Sequence, residues 1–188
     1  MCPGIVRNVT LVLGGVRSGK SRYALQLAAG VERGAFLATA ERREDEEMRR
    51  RITRHQAERP EHWITIEESL NLADAIGSVK DCDLLLIDCL TLFAGKLLEV
   101  HGDDSEAIAA NVDTLCAALA SAPVSVVLVS NEVGSGVVPA FEMGRRYRDL
   151  LGEINQRVAA IADCVVLMVA GLPLALKGAV HGQTRGLI

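Results

Sequence analysis

The sequence predicts an α/β fold in which helices flank a mostly parallel sheet. Short apolar runs alternate with longer amphipathic stretches along the chain, and several of these runs are apolar almost throughout. Alternating β and α units favour a parallel sheet, and strands that are apolar throughout indicate that helices cover both of its faces.

The apolar runs predict five strands and a sixth that is less buried. The five strands are 9–13, 35–39, 84–88, 124–130 and 164–170, and the sixth is 63–67. Helical patterns lie between them, at roughly 19–30, 43–58, 69–78, 105–121 and 144–162. Ligands of such sheets bind at the carboxyl ends of the strands, so the residues that follow each strand are the first candidates for a site.

The length of the chain is consistent with one catalytic domain spanning residues 1–188. Of the 188 residues 49% are hydrophobic, which is enough to bury one core of ordinary size. No internal repeat, low-complexity tract or linker-like segment divides the chain. Residues 1–8 and 178–188 are expected to form peripheral tails.

Charge, hydropathy and cysteine usage indicate a soluble cytoplasmic protein. The net charge of −4 and the 3% aromatic content argue against a nucleic-acid partner. No N-terminal run has signal-peptide character, and no segment approaches the ~18 apolar residues of a membrane span, so we expect no membrane partner. The five cysteines lack Cys-x-x-Cys spacing, and we interpret them as reduced thiols.

The residues after the first predicted strand carry the strongest functional signal. They read GGVRSGKS, which fits G-x-x-x-x-G-K-[ST] between a strand and a helical pattern. In such a P-loop, glycines let the backbone N–H groups surround phosphate oxygens. Lys20 would bridge the β- and γ-phosphates, and the Ser21 hydroxyl would ligate Mg²⁺. The motif predicts that ATP or GTP is bound through Gly14, Gly15, Val16, Arg17, Ser18, Gly19, Lys20 and Ser21. The alternative is a Gly-rich turn that only joins strand to helix.

Two further strands end in polar residues. Asp88 closes the run LLLID, where a carboxylate would position magnesium. Alternatively, Asp88 is the N-cap of a helix that starts at Leu90. The strand that ends at Ser130 continues into NEVGSG, residues 131–136, which is either a substrate loop or a connection capped by Asn131.

The segment 44–60 combines a charged helical face with an unusual inner stripe. Its acidic start and basic continuation are typical of a solvated helix. Its other stripe places Met48, Ile52, His55 and Arg59 at helical spacing, so that a histidine and an arginine turn inward. A histidine in such a stripe is more often structural than catalytic, and spacing alone leaves both roles open.

These segments together resemble the bifunctional adenosylcobinamide kinase / adenosylcobinamide-phosphate guanylyltransferase family of cobalamin biosynthesis. The resemblance runs in order from about Val9 to Lys177. It rests on the segments GGVRSGKSRYAL, ATA (38–40), RITRHQAERPEHW, LLLIDCLT, SNEVGSGVVP, RRYRDLLGEINQRVAAIAD and AGLPLALK. Many families share the P-loop, whereas its combination with RI-x-x-H-x-x-x-RP and NEVG-x-G-x-VP is far more specific.

The resemblance implies a RecA-like P-loop NTPase fold, a homotrimer and two reactions. A nucleoside triphosphate would phosphorylate the hydroxyl of the aminopropanol arm of adenosylcobinamide. GTP would then donate GMP to that phosphate, giving adenosylcobinamide-GDP and pyrophosphate. The guanylylated histidine of the family falls on His55, and Asp88 stands where family members often carry Glu. The remaining family contacts to the nucleotide fall on Ala40, Glu41, Arg42, Gln56, Ala57, Glu58, Arg59, Glu67 and Asp88.

The residue types suit this chemistry. A neutral imidazole at His55 can attack the α-phosphorus of GTP, while Arg59 neutralises phosphate charge and Lys20 with Mg²⁺ stabilises the leaving pyrophosphate. Two alternatives stay open. A P-loop kinase for another small hydroxyl compound would need no nucleophilic histidine, and a RecA-like module would bind nucleotide without transfer to cobinamide.

Overall fold

A sheet of seven strands forms the centre of the described part of the chain. The computed structural model describes residues 8–40 and 61–178. Its strands are β1 (Val9–Gly14), β2 (Gly34–Ala38), β3 (Ile64–Glu67), β4 (Leu84–Asp88), β5 (Ser125–Asn131), β6 (Cys164–Val169) and β7 (Leu172–Lys177). Their order is β3-β2-β4-β5-β1-β6-β7, and all neighbours are parallel except β6 and β7. The predicted mostly parallel α/β sheet is confirmed.

Five helices within the described ranges cover the two faces of this sheet. They are α1 (Lys20–Leu27), α2 (Leu72–Ser78), α3 (Leu90–His101), α4 (Ser105–Ala120) and α5 (Glu142–Ile161). Helix α1 packs on one face, which we call the α1 face, and the other four pack on the opposite face. Because both faces are covered, the strands in the middle of the sheet are buried over most of their length, as their apolar runs predicted.

Alternation along each strand assigns its side chains to one face or the other. In β5, Val127 and Val129 belong to the apolar cluster of the α1 face, whereas Val126 and Leu128 belong to the cluster beneath α2–α5. In β4, Leu86 lies on the α1 face. Residues two positions further along each strand therefore return to the α1 face.

The hairpin formed by β6 and β7 differs from the single strand predicted over 164–170. The chain reverses after Val169 through Ala170 and Gly171, whose φ angles are 51° and 83°. Strand β7 then pairs antiparallel with β6. It lies at the sheet edge and is exposed over most of its length, so it lacks the pattern of a buried strand. Pro173 is tolerated because an edge strand has one unpaired side.

Helix α3 lies outside the predicted helical patterns, which mentioned it only through an alternative role of Asp88. The helix begins at Leu90 with Cys89 as its N-cap, and Asp88 is the last residue of β4. The alternative of Asp88 as N-cap is therefore wrong. Helix α3 buries one stripe at helical spacing, which includes Phe93 and Leu97. Leu92 and the exposed Val100 lie outside that stripe and are also apolar, which weakens the amphipathic period that identifies a surface helix.

The other predicted helices agree with the structure near their centres, and their ends shift by a few residues. Helix α2 begins at Leu72, because the Glu68 carboxylate first accepts hydrogen bonds from the N–H groups of Leu70 and Asn71 and holds a turn there. The predicted helix over 43–58 lies outside the described residues, as do residues 1–7 and 179–188 of the predicted tails. None of the described helices has the length and apolar character that crossing a membrane requires.

Candidate nucleotide-binding site

The carboxyl ends of six parallel strands, β1 to β6, meet at one edge of the sheet. Gly14 at the end of β1 pairs with Asn131 at the end of β5. Ala38 at the end of β2 pairs with Glu67 on one side and with Asp88 on the other. The fold therefore brings the start of the P-loop, Glu67 and Asp88 to the same edge, as expected for a site in a parallel sheet.

The P-loop turns directly into the first helix. Gly19 is the N-cap of α1 with φ of 94°, a conformation that side-chain-bearing residues rarely adopt, and it provides no side-chain cap. The first turn of α1 contains no acidic residue. The first N–H groups of the helix and the positive end of its dipole are therefore available to an anion.

The ammonium group of Lys20 lies folded back on the P-loop. Its Nζ donates a hydrogen bond to the carbonyl of Gly15 at 2.7 Å, and the residue is only 8% exposed. Burial lowers the pKa of Lys20, while the nearby Cys89 and Asp88 act in the opposite direction. A partly desolvated ammonium held by a single carbonyl is suited to a phosphate group, which would restore the charge balance.

Ser18 is a buried polar residue of the P-loop whose hydroxyl has no hydrogen-bond partner among the described residues. It packs against Gly14: a Cβ at Gly14 would lie 2.6 Å from the Ser18 Oγ and 2.6 Å from the carbonyl oxygen of Met168. Only glycine therefore fits at the start of the loop. A buried hydroxyl without a partner is unfavourable, and a bound phosphate would satisfy it.

Two neighbouring segments hold the P-loop in place. The N–H of Glu132, just after β5, donates to the carbonyl of Gly14 at 3.0 Å. The N–H of Gly171, in the turn between β6 and β7, donates to the carbonyl of Ser18 at 3.0 Å. No role was predicted for Gly171, because the hairpin that carries it was not predicted. The only signal was the segment AGLPLALK within the resemblance.

Thr39 fixes the position of the chain after β4. Its side chain accepts a hydrogen bond from the N–H of Cys89 at 2.7 Å and donates one to the carbonyl of Cys89 at 2.8 Å. The N–H of Thr39 also donates to the carbonyl of Asp88 at 3.2 Å. Thr39 is 2% exposed. This buried hydroxyl therefore determines where the Asp88 backbone lies relative to β2, a role that the sequence analysis missed.

The oxygen atoms near Lys20 fit a magnesium ion that arrives with a nucleotide. Ser21 lies in the first turn of α1 and Asp88 at the end of β4. Their hydroxyl and carboxylate oxygens are ligands that Mg²⁺ prefers. In the ranges 8–40 and 61–178, no three His, Cys, Asp or Glu side chains are grouped so as to hold a metal. The pair of Ser21 and Asp88 suits Mg²⁺, which commonly takes one or two protein oxygens and completes its coordination shell with phosphates and water.

The other predicted nucleotide contacts divide into two that lie beside this edge and seven that lie outside the described residues. Ala40 is the last residue of the first described range, and Glu67 ends β3 as an exposed side chain. The predicted nucleophile and its neighbours lie outside the described residues: His55, Glu41, Arg42, Gln56, Ala57, Glu58 and Arg59. The approach of His55 to a bound triphosphate stays a prediction.

Two solved structures of ATPases resemble the fold of the chain. One, described as a prototypical ATPase from the type III secretion system of pathogenic bacteria, has a TM-score of 0.56 at 14% identity and covers 89% of this chain. The assembled ATPase EscN from the type III secretion system of enteropathogenic E. coli has a TM-score of 0.51 at 14% identity and covers 87% of this chain. The chain spans 56% and 43% of those structures. At this identity the likeness shows the fold alone, and it confirms the predicted P-loop NTPase fold.

The chain also matches known proteins in sequence over nearly its whole length. It is 46% identical over 172 residues to the bifunctional adenosylcobalamin biosynthesis protein CobP of Pseudomonas aeruginosa, covering 89% of this chain and 96% of that protein. It is 38% identical over 179 residues to the corresponding protein CobU of Escherichia coli K12, covering 89% and 98%. Residues 10–176 match the family model described as cobinamide kinase / cobinamide phosphate guanyltransferase. The chain therefore belongs to the cobinamide kinase / cobinamide phosphate guanyltransferase family.

Proposed function

We propose that this chain catalyses two successive reactions, the phosphorylation of adenosylcobinamide by ATP or GTP and the transfer of GMP from GTP to the product. The observation that carries the proposal is the P-loop, with Lys20 inside it and Asp88 close enough to influence the Lys20 charge. This arrangement occurs in a chain whose residues 10–176 match the family.

In the kinase reaction, the P-loop holds the triphosphate while a hydroxyl attacks its end. Lys20 leaves the Gly15 carbonyl and bridges the β- and γ-phosphates, and the N–H groups at the start of α1 bind the same oxygens. The hydroxyl oxygen of the aminopropanol arm attacks the γ-phosphorus, its proton passes to water, and the bond between the γ-phosphorus and the departing nucleoside diphosphate breaks. Catalysis here consists of positioning and charge stabilisation.

In the guanylyltransferase reaction, His55 divides one transfer into two. A ring nitrogen of His55 attacks the α-phosphorus of GTP, forming an N–P bond as pyrophosphate leaves. A phosphate oxygen of adenosylcobinamide phosphate then attacks the same phosphorus, and the N–P bond breaks to free the histidine. We assign phosphate neutralisation to Arg59 and nucleotide contacts to Ala40, Glu41, Arg42, Gln56, Ala57, Glu58 and Glu67. Family resemblance and residue chemistry support this assignment.

The metal, the assembly and the compartment complete the proposal. Ser21 and Asp88 would hold Mg²⁺ together with the phosphates, and the ion would neutralise charge that develops on the transferred group. The protein acts in the cytoplasm as a homotrimer of single-domain subunits, with the corrinoid bound near subunit boundaries. Family resemblance supports the trimer.

The direct test incubates the purified protein with GTP, Mg²⁺ and adenosylcobinamide and follows the corrinoid by mass spectrometry. We expect the mass of one phosphate to be added first and the mass of one GMP next. Addition of phosphate without GMP would reduce the protein to a single-function kinase, and no addition would contradict both reactions.

A radiolabel experiment tests the covalent step separately. Label from the α-phosphate of GTP should remain on the denatured protein, be lost in acid and be stable in base, as for a phosphoramidate. Label from the γ-phosphate should not remain. Retention of neither label would remove the guanylyl-histidine from the mechanism.

A further inference from the structure

The polar residue at the end of β5 lies between the two parts of the proposed nucleotide site. Asn131 pairs with Gly14, the first residue of the P-loop, on one side. On the other side, β5 pairs with β4, the strand that ends in Asp88. Asn131 therefore stands at the carboxyl edge of the sheet on the strand that separates the P-loop from the candidate metal ligand.

The side chain of Asn131 belongs to the same sheet face as the P-loop helix. Val127 and Val129 pack on the α1 face, so the alternation of β5 places Asn131 on that face as well. Asp88 follows Leu86 by two residues and shares this face. Three features thus converge on one side of one edge: the start of α1, the Asp88 carboxylate and the Asn131 carboxamide.

The main chain of Asn131 is fixed by side chains from two helices. Its N–H donates to the hydroxyl of Thr91 at 3.0 Å, and its carbonyl accepts from the Asn155 carboxamide at 3.0 Å. The other end of the Asn155 carboxamide accepts a hydrogen bond from Ser130 at 2.6 Å in a buried contact. Tyr147 in turn donates to the carbonyl of Thr91 at 3.2 Å. Four side chains therefore determine where residue 131 lies.

The carboxamide of Asn131 itself has no hydrogen-bond partner within residues 8–40 and 61–178, although the residue is partly buried. Its neighbour Glu132 is not an alternative ligand for phosphate, because the Glu132 carboxylate accepts from the N–H of Gly134 at 2.6 Å and is anionic. A fixed backbone that presents an unpaired amide is the arrangement expected of a residue that binds a ligand.

We propose that the Asn131 carboxamide donates a hydrogen bond to the terminal phosphoryl group of the bound nucleoside triphosphate, and that Asn155 is a positioning residue that holds Asn131 there. This inference rests on the proposed kinase function. A neutral donor suits the position, because it can bind a phosphoryl oxygen beside Asp88 without competing for the metal. A fixed donor here also holds and stabilises the transferred group, whose charge is spread over its three equatorial oxygens in the transition state.

The test compares affinities for a triphosphate and a diphosphate in variants of Asn131. The probes are the Mg²⁺ complexes of a non-hydrolysable ATP analogue and of ADP, measured by titration calorimetry. Asn131→Ala should weaken binding of the triphosphate roughly tenfold or more, since a hydrogen bond to a charged group is lost. The affinity for ADP should stay within about twofold of wild type. Asn131→Asp, which is isosteric, should weaken binding of the triphosphate further, because it places a carboxylate beside the negatively charged terminal phosphoryl group.

Kinetics supply the second readout. In Asn131→Ala the kcat for corrinoid phosphorylation should fall roughly a hundredfold while the KM for adenosylcobinamide stays unchanged. Asn155→Leu should give the same triphosphate-specific loss through displacement of residue 131. The matched control is Asn111→Ala on α4, across the sheet from α1, whose amide donates to the carbonyl of Ala107. It should change neither affinity.

The proposal would be overturned if both Asn131 variants bound the triphosphate and the diphosphate with equally weakened affinity. It would also be overturned if the ratio of the two affinities stayed at its wild-type value in both variants. A raised KM for adenosylcobinamide with normal kcat would also overturn it, since Asn131 would then contact the corrinoid. If the wild-type protein fails to phosphorylate adenosylcobinamide, the proposed function fails. The affinity ratio still tests the contact to the terminal phosphoryl group.

Discussion

Gly34 and Trp63 touch so closely that no side chain fits between them: a Cβ on Gly34 would lie 2.1 Å from Cε2 of the indole. The Trp63 ring is 7% exposed, and its Nε1–H donates to the carbonyl of Val31 at 3.1 Å. Trp63 lies one residue before β3, and Gly34 is the first residue of β2. The ring packs on the α1 face of the sheet.

Gly34→Ala should therefore destabilise the protein by about 1–3 kcal/mol, since the ring must move out of a packed cluster. The measurement is the free energy of unfolding in urea. Gly152→Ala is the matched control. Gly152 lies within α5, where no atom of the described residues outside its own stretch of helix approaches within 4 Å of a new Cβ. Gly152→Ala should stabilise the protein by up to about 1 kcal/mol, because alanine has the higher helix propensity. Equal effects at both positions would contradict the packing argument.

Thr39→Val should both destabilise the protein and impair catalysis. The substitution keeps the shape of the side chain and removes the hydroxyl that bonds the N–H and carbonyl of Cys89. Unsatisfied buried groups cost about 1–3 kcal/mol, and the displaced Asp88 should lower the kcat of the kinase. Thr39→Ser, which retains the hydroxyl, should recover most of both losses. A fully active, fully stable Val variant would show that these bonds do not position Asp88.

Substitutions of His55 and Lys20 should separate the two reactions. His55→Ala should abolish GMP transfer and leave the kinase intact, because only the guanylyl step uses an imidazole nucleophile. Lys20→Ala should lower both activities by roughly a hundredfold or more, because both need the triphosphate held in the P-loop. The two products are resolved by mass spectrometry of the corrinoid. Residual guanylyltransfer in the histidine variant equal to wild type would exclude His55.

Both activities should depend on the negative charge of the side chain at residue 88 more than on its length. Asp88→Asn removes the carboxylate that would hold Mg²⁺, and we expect both activities to fall roughly a hundredfold and to need more metal for half-saturation. Asp88→Glu, the residue that family members often carry, should retain most activity. Removal of Mg²⁺ with a chelator should abolish both reactions in wild type, and restoring Mg²⁺ should recover them. Full activity of Asp88→Asn at low Mg²⁺ would argue against a role in metal binding.

Cys89 should give the protein a measurable loss of stability at alkaline pH. Burial, and then the charge of Asp88, raises the pKa of the Cys89 thiol from 9.0 to about 11. Below pH 9.0 both the folded and unfolded chains keep this proton. Between 9.0 and about 11 the unfolded chain releases it first, so stability falls as the pH rises, by about 2–3 kcal/mol in total.

Cys89→Ala removes this titration. The difference in free energy of unfolding between wild type and Cys89→Ala should therefore shrink as the pH is raised through this window, and stay constant below it. Urea unfolding at several pH values measures the difference. A constant difference throughout would show that the thiol titrates near its ordinary pKa when folded.

The sequence by itself determined the sheet, the P-loop and the family. Buried parallel strands are continuous apolar runs, and the phosphate loop is a local motif whose strand and helix are its immediate neighbours, so both can be recognised without long-range information. Prediction failed at β7 and α3 because neither segment has a clear hydrophobic period. The exposed edge strand β7 has no buried face to impose an alternation, and in α3 the apolar residues Leu92 and Val100 outside the buried stripe obscure the helical period.

Only the tertiary structure decided which distant residues support the site. The contacts of Thr39 with Cys89, of Gly171 with Ser18 and of Asn155 with Asn131 join positions far apart along the chain. Each depends on strand order and on which face a side chain takes, and no local pattern encodes either. Local physics thus specified the phosphate cradle, and the packing of the sheet determined the polar groups placed around it.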